Sequence, residues 1–283
     1  MTDNQVRKNC SSFFIFDWNA DDFEILIKSC DRDDAKPFIM RYMPKDGKIL
    51  DAGCGLGRYT AYLNERGFEV TGIEFNQETV KNVLQIAPNL NVMTGDVSSL
   101  QYEDNSISGI ICLGVIEHFF LGPEKPLKEL RRVLKPGHYA IFTVPAFNVL
   151  RRIKHFLGIR HFSPIKIMKE MSVVRRILKK KAIPAIHSDF VPYRHKCKEV
   201  SDHFYEYRFT KKEFEAELIR AGFTIVESLP IALMDGIYHE FGDAFVSFRE
   251  WTFYPNMFGK FLNWSLGKIP NFHNHMYLCV VKK

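Results

Sequence analysis

Apolar residues recur along this chain in two periods, and their alternation predicts the architecture. Ile49-Leu50 is a short apolar run that ends at Asp51 and at the turn Gly53-Cys54-Gly55-Leu56-Gly57. A run of this kind, bounded by turn residues, suits a parallel strand buried on both faces. From Arg58 to Glu65 the period lengthens, with Tyr59, Tyr62 and Leu63 at core-facing spacing, which predicts a helix stopped at Gly67. Strand pattern returns at Val70-Thr71-Gly72-Ile73 and ends in Glu74. Further strands are expected at Leu90 to Met93, Ser106 to Val115, Tyr139 to Val144, Thr224 to Ser228 and Met276 to Val281. A helix is expected over Phe209 to Arg220, with Phe214, Leu218 and Ile219 inward. The spacing of Phe241, Phe245, Phe248 and Trp251 predicts one more helix. Strands alternating with helices in this order predict an α/β fold.

The glycine turn carries chemistry. Glycines at 53, 55 and 57 let the backbone bend sharply and approach a ligand closely. An acid roughly 20 residues past such a turn is where a βαβ nucleotide fold hydrogen-bonds a ribose diol, and Glu74 stands there. Dinucleotide enzymes use G-x-G-x-x-G with a pyrophosphate at the helix N-terminus. Here the pattern is G-x-G-x-G, and Asp51 at the end of the first strand would repel a pyrophosphate and attract an amino group. Together these residues resemble motif I and the following acid of the class I S-adenosylmethionine-dependent methyltransferases, in particular small-molecule members of type 11 or type 12. Gly95-Asp96-Val97, Ile116-Glu117-His118-Phe119 and Leu134-Lys135-Pro136-Gly137-His138 continue the resemblance in order, so that it covers roughly residues 40 to 147. Tyr207-Arg208-Phe209-Thr210 and Ala221-Gly222-Phe223 are again similar to small-molecule members.

The resemblance implies a Rossmann-like, doubly wound, seven-stranded sheet with its last strand antiparallel and a helical insertion or lid after strand five. It implies S-adenosylmethionine as cofactor, held by Asp51, Gly53, Cys54, Gly55, Gly57, Arg58, Tyr59, Glu74, Phe75, Asp96, Val97, Leu113, Gly114 and His118. Residues 1–147 then comprise N-terminal helices and the cofactor-binding core, 148–207 a basic helical insertion, and 208–283 a return to the core.

Composition narrows the surroundings. The six cysteines, at 10, 30, 54, 112, 197 and 279, form neither C-x-x-C nor a zinc spacing, which fits reduced thiols. Met1 to Cys10 lacks the apolar core of a secretory signal, and no run of about 18 uncharged apolar residues occurs, so a cytoplasmic location, with peripheral membrane contact, is expected. Charge is uneven. Between Leu150 and Val200 fourteen Lys or Arg face three acids, a local balance of +11 in a chain of net +6. Within it Ile165, Met168, Met171, Val174 and Leu178 repeat at helical spacing among lysines and arginines, which predicts a basic amphipathic helix. An anionic substrate, an anionic membrane surface and nucleic acid are the partners that residues 148–200 would attract, nucleic acid being the weakest. Residues 234 to 272 are dense in aromatics, which suits a hydrophobic acceptor pocket or a homodimer contact.

The expected activity is methyl transfer to an O or N atom of a small-molecule acceptor that is acidic, aromatic or lipid-like. A hydroxyl acceptor needs a base; His118 is the first candidate, with His239 and Tyr238 behind it. His273-x-His275 offers two metal ligands without an identifiable third, and no metal is expected. The alternatives are an RNA methyltransferase, an inactive methyltransferase-like protein that binds through the basic insertion, and an NAD(P)-dependent dehydrogenase.

Overall fold

The computed structural model describes residues 20–119, 121–157, 191–196, 203–269 and 271–283. Helix α1 (Ala20–Ser29), a 3-10 turn (Cys30–Arg32) and α2 (Lys36–Tyr42) lead into β1 (Ile49–Ala52), α3 (Arg58–Asn64), β2 (Val70–Glu74), α4 (Gln77–Ile86) and β3 (Val92–Thr94). Next come β4 (Ile107–Leu113), α5 (Glu124–Val133), β5 (Leu134–Pro145) and α6 (Val149–Leu157). A hairpin of β6 (Val191–Lys196) and β7 (His203–Arg208) precedes α7 (Lys211–Arg220) and β8 (Thr224–Ile231). The chain closes with α8 (Leu233–Phe241), a hairpin of β9 (Val246–Arg249) and β10 (Thr252–Pro255), α9 (Met257–Leu266) and β11 (Met276–Lys282).

Seven strands form one sheet in the order β3-β2-β1-β4-β5-β11-β8, with β11 antiparallel to both neighbours. The seven-stranded, antiparallel-ended sheet expected from the sequence is therefore present. Its central strands are apolar on both faces. Ile110 and Cys112 of β4, Phe142 and Val144 of β5 and Tyr277 and Cys279 of β11 pack on one side with Leu127 and Leu130 of α5 and Phe214 and Leu218 of α7. Ile111, Ile141, Leu278 and Val280, at the alternate positions, pack on the other side with Ile39 of α2 and Tyr62 and Leu63 of α3. The period of two in these strands is what divides the core between the faces. Chain order reverses between β1 and β4, and in an open α/β sheet such a reversal opens a crevice at the carboxyl ends of the strands.

Three local expectations are corrected. The residues Leu134 to His138 are part of β5, where Leu134 pairs with Ile107 and Tyr139 with Gly109 across an irregularity. The chain end holds them in the ladder, since the Gly137 amide donates to the Lys283 carbonyl (3.0 Å) and the Lys283 amide to that of His138 (3.1 Å). The helix predicted through Phe241, Phe245, Phe248 and Trp251 stops at Gly242, which has φ +83°. Beyond it Phe248 pairs with Phe253, and the two-residue turn Glu250-Trp251, with φ 49° and 56°, reverses the strand. Aromatic and β-branched residues on both arms favour the pleated form, and the Phe248 and Phe253 rings meet at 4.8 Å. The helix expected over Phe209 to Arg220 begins at Lys211, because Thr210 and Glu213 form a reciprocal capping box.

Within the insertion after β5, α6 and the β6/β7 hairpin are described; the basic helix predicted through Ile165 to Leu178 lies outside the described residues. Among the described residues no helix is long and apolar enough to cross a membrane.

Candidate active site

The glycine turn joins β1 to α3, with Gly53 and Gly55 in the left-handed region at φ +77° and +54°. The two serve different ends. A Cβ on Gly53 would collide with the Val115 methyls, within 2.8 Å of Cγ1, so this glycine makes room for the segment after β4. A Cβ on Gly55 would meet no atom within 4 Å, so this glycine leaves open space above the turn. Glu74, at the end of β2, reaches over that space. Its Oε2 accepts from the Gly55 amide (3.1 Å) and its Oε1 from the Asn76 amide (2.9 Å), which leaves each oxygen a further lone pair for a diol.

Asp51 is buried at the end of β1, where its Oδ2 accepts from the Thr60 hydroxyl (2.8 Å). Burial pushes its carboxyl up to about 6, against the opposing effects of the Thr60 hydrogen bond and the Arg58 charge. An ammonium beside it would restore the ionised form. Arg58 is ion-paired to Asp33, which ties the start of α3 to the segment before α2. Cys54 is buried and its thiol is pushed well up by burial, which makes it a packing residue beside Val80 and Val83. Tyr59 points into the core, 6.2 Å from the Tyr62 ring. Asp96 follows β3 and accepts from the Ser98 amide (2.8 Å), while Val97 is buried; Phe75 directly follows Glu74.

A cleft of about 430 Å³ opens at the carboxyl ends of β4 and β5. Arg58, Leu113 and Gly114, all expected around the cofactor, line it. Asp34, Ala232, Asp235, Trp251 and Phe253 line it as well. Asp34, exposed in the cleft, accepts from the Ala232 amide (2.8 Å).

None of the three candidate bases lines this cleft. His118 follows Gly114 in a 3-10 turn, its Nε2 3.9 Å from the Glu117 carboxylate. Tyr238 packs against Phe253 (5.4 Å) and Phe248 (6.3 Å). His239 lies 2.9 Å from Asp235 Oδ1, so it stands behind the cleft-facing acid. The sequence reading missed Asp34 and Asp235. For Asp235 a signal was available, the i,i+4 spacing to His239 on one helical face. For Asp34 there was none, because only the fold brings the segment before α2 against the Ala232 turn.

His275 lies deeper. Burial, with the Arg151 charge second, holds its imidazole well below the ordinary range, and it approaches Arg151 Nη2 (2.6 Å). Arg151 also donates to Glu240 (2.9 Å) and to the Ala146 carbonyl (2.7 Å), and Lys154 shares Glu240. His273 is fully buried near Asn263 (3.4 Å), apart from this group.

Open space over Gly55, the Glu74 carboxylate beside it and a glycine-bent backbone suit a ligand that carries a diol. The family described as a methyltransferase domain matches residues 50–142. The ubiquinone biosynthesis O-methyltransferase of Rickettsia bellii is 33% identical over 102 residues, 35% of this chain and 42% of that protein. A 23S rRNA (uracil(747)-C(5))-methyltransferase of Pyrococcus horikoshii is 33% identical over 123 residues, 42% of this chain and 28% of that protein. The chain spans about half or less of the length of the curated relatives it matches. Among solved structures, a methyltransferase of Methanosarcina mazei is similar in fold, with a TM-score of 0.54 at 21% identity, covering 87% of this chain and 97% of that one. The matched segment contains the glycine turn, Glu74 and Asp96, and the sheet around it has the order found above. Through residues 50–142 the chain is similar to the methyltransferase domain family, on a sheet whose fold it shares with solved S-adenosylmethionine-dependent methyltransferases.

Proposed function

We propose that this chain transfers a methyl group to an O or N atom of a small molecule held in the cleft between Gly114 and Asp235. The observation that carries the reading is the cleft itself. Its volume of about 430 Å³ falls within the range of small-molecule sites, and residues expected around the cofactor form one of its walls. S-adenosylmethionine supplies a methyl already activated as a sulfonium, so the protein has to position the acceptor, exclude water and remove a proton where the acceptor carries one.

Glu74 would hold the ribose and Asp51 the amino group, each through a charge-assisted hydrogen bond. On the acceptor side the charges decide the chemistry. With Arg58 ion-paired to Asp33, the charged side chains left on the lining are Asp34 and Asp235 against Arg32, whose guanidinium also donates to the Tyr254 hydroxyl. Such a wall favours a hydroxyl or amine donor and disfavours an acidic acceptor. Asp34, on the cleft lining and held by the Ala232 amide, is the carboxylate placed to take the proton of a hydroxyl, whereas an amine that arrives neutral needs no base. Trp251 and Phe253 give the remaining wall an aromatic face for an apolar acceptor body.

The test is transfer of labelled methyl from S-adenosylmethionine to a panel of small phenols, alcohols, amines and carboxylic acids, with total RNA in parallel. Label in phenols, alcohols or amines is expected, and label confined to RNA or to acids would overturn the reading. Polynucleotide methylation is the second reading, supported by the +11 balance between Leu150 and Val200. It predicts binding to generic RNA that falls steeply with salt.

A further inference from the structure

Two segments distant in sequence bring a carboxylate and two imidazoles together behind the cleft. Asp235 and His239 stand four residues apart on α8, with His239 Nε2 2.9 Å from Asp235 Oδ1. His275, just before β11, places its Nδ1 3.8 Å from the same oxygen, and the two imidazoles stack at 4.3 Å with 25° between their planes. The donor atoms of all three lie within 4.8 Å of one another. The backbone is shaped for this approach. A Cβ on Gly236 would be driven into the His273 carbonyl, and the His275 amide donates to the Ala232 carbonyl (3.1 Å), so α8 lies directly on the segment that carries His275.

We propose that Asp235, His239 and His275 bind a divalent first-row transition ion on the wall of the acceptor cleft. Two imidazoles and one carboxylate are donors suited to zinc, manganese, iron(II) or cobalt rather than to calcium or magnesium. Ligand bonds of about 2.0–2.2 Å put two donors on one ion roughly 3–4 Å apart, so the present cluster needs only a small contraction. Three protein donors leave coordination positions open, the arrangement of a reactive site rather than a structural one. Asp235 itself lines the cleft, so the ion adjoins the acceptor. There it would lower the pKa of an acceptor hydroxyl, a role that rests on the methyl-transfer reading, whereas the binding of the ion does not.

Arg151 sets the affinity. Its Nη2 lies 2.6 Å from His275 Nδ1, so an ion must displace that contact and tolerate a nearby guanidinium. Glu240 and the Ala146 carbonyl hold Arg151 in place when it yields. The expected affinity is accordingly micromolar rather than that of a structural zinc site.

The experiment uses the full chain after chelator treatment, titrated with Co²⁺ by visible absorption and with Zn²⁺ by calorimetry. Stoichiometric binding is expected, with a Co²⁺ ligand-field band that Zn²⁺ displaces. Asp235→Asn and His239→Gln should each weaken it by about tenfold or more, whereas His138→Gln, at an exposed histidine outside the cluster, should leave it unchanged. Thermal melting checks that each variant is folded. Absence of saturable binding by the wild-type chain, or binding that survives both α8 substitutions, would overturn the proposal. An S-adenosylhomocysteine isotherm on the same samples reads the donor site separately, so failure of the ion and failure of the methyl-donor assignment remain distinguishable.

Discussion

Between Ile49 and Asp96 the groups proposed to hold the cofactor follow one another along alternating strands and helices, each at the end of a strand or in the turn beside it. The proposed acceptor cleft is assembled in the opposite way. It draws Asp34 from the segment before α2, Gly114 from the end of β4, Asp235 from α8, Trp251 and Phe253 from a hairpin, and Met276 from the last strand. The donor half is thus fixed by local geometry and the acceptor half by the meeting of remote elements. The first can be shared among enzymes that methylate unrelated molecules, and the second can change without disturbing the first.

The separation can be broken or sharpened by substitutions on either side. The largest effect is expected for Gly55→Val. It puts a side chain into the space over the turn and strains a residue at φ +54°, so S-adenosylhomocysteine binding by calorimetry should fall by at least about 3 kcal/mol. Asp34→Asn should lower turnover of a hydroxyl acceptor about 100-fold in a radiolabel assay, with cofactor affinity within about twofold of wild type. A matching loss of cofactor affinity would dissolve the boundary between the halves. Glu74→Ala should weaken the cofactor by roughly 1.5–3 kcal/mol, the contribution of one or two charged hydrogen bonds.

Asp51 links the donor half to pH. Its carboxyl is raised to about 6 by burial, so the protonated form is the one that suits the unliganded fold. The associated stability is present below the ordinary aspartate range and is lost as pH rises through about 6. Cofactor binding runs the other way. An amino group needs ionised Asp51, so affinity should fall by about tenfold for each pH unit below 6, and Asp51→Asn should remove that slope from an isotherm series. His118→Ala is expected to have the smallest effect. With His118 outside the cleft lining, turnover under saturating cofactor should stay within about threefold of wild type.

What the sequence discloses follows the same division. The placement of Asp51, the glycines and Glu74 at strand ends and in the turn was legible because a strand, a tight turn and a helix impose fixed spacing on neighbouring residues, and the central apolar strands disclosed the sheet because both their faces are buried. The wall of the cleft was not. Phe248 and Trp251 obey helical spacing in the sequence, yet Gly242 ends α8 and cross-strand pairing with Phe253 decides their form. His275 was legible in the sequence only through the pair His273-x-His275, from which no metal was expected. Asp235 and His239, which it contacts, lie more than thirty residues earlier, and only the approach of α8 to the segment before β11 unites the three.

The account rests on a donor site built from the glycine turn and its acids. Calorimetric titration with S-adenosylhomocysteine, compared between wild type, Glu74→Ala and Asp34→Asn and repeated with NAD, tests that claim most directly. Saturable binding that NAD does not reproduce, weakened by Glu74→Ala and untouched by Asp34→Asn, is the predicted result. Equal affinity for NAD, or an isotherm that Glu74→Ala leaves unchanged, would contradict it.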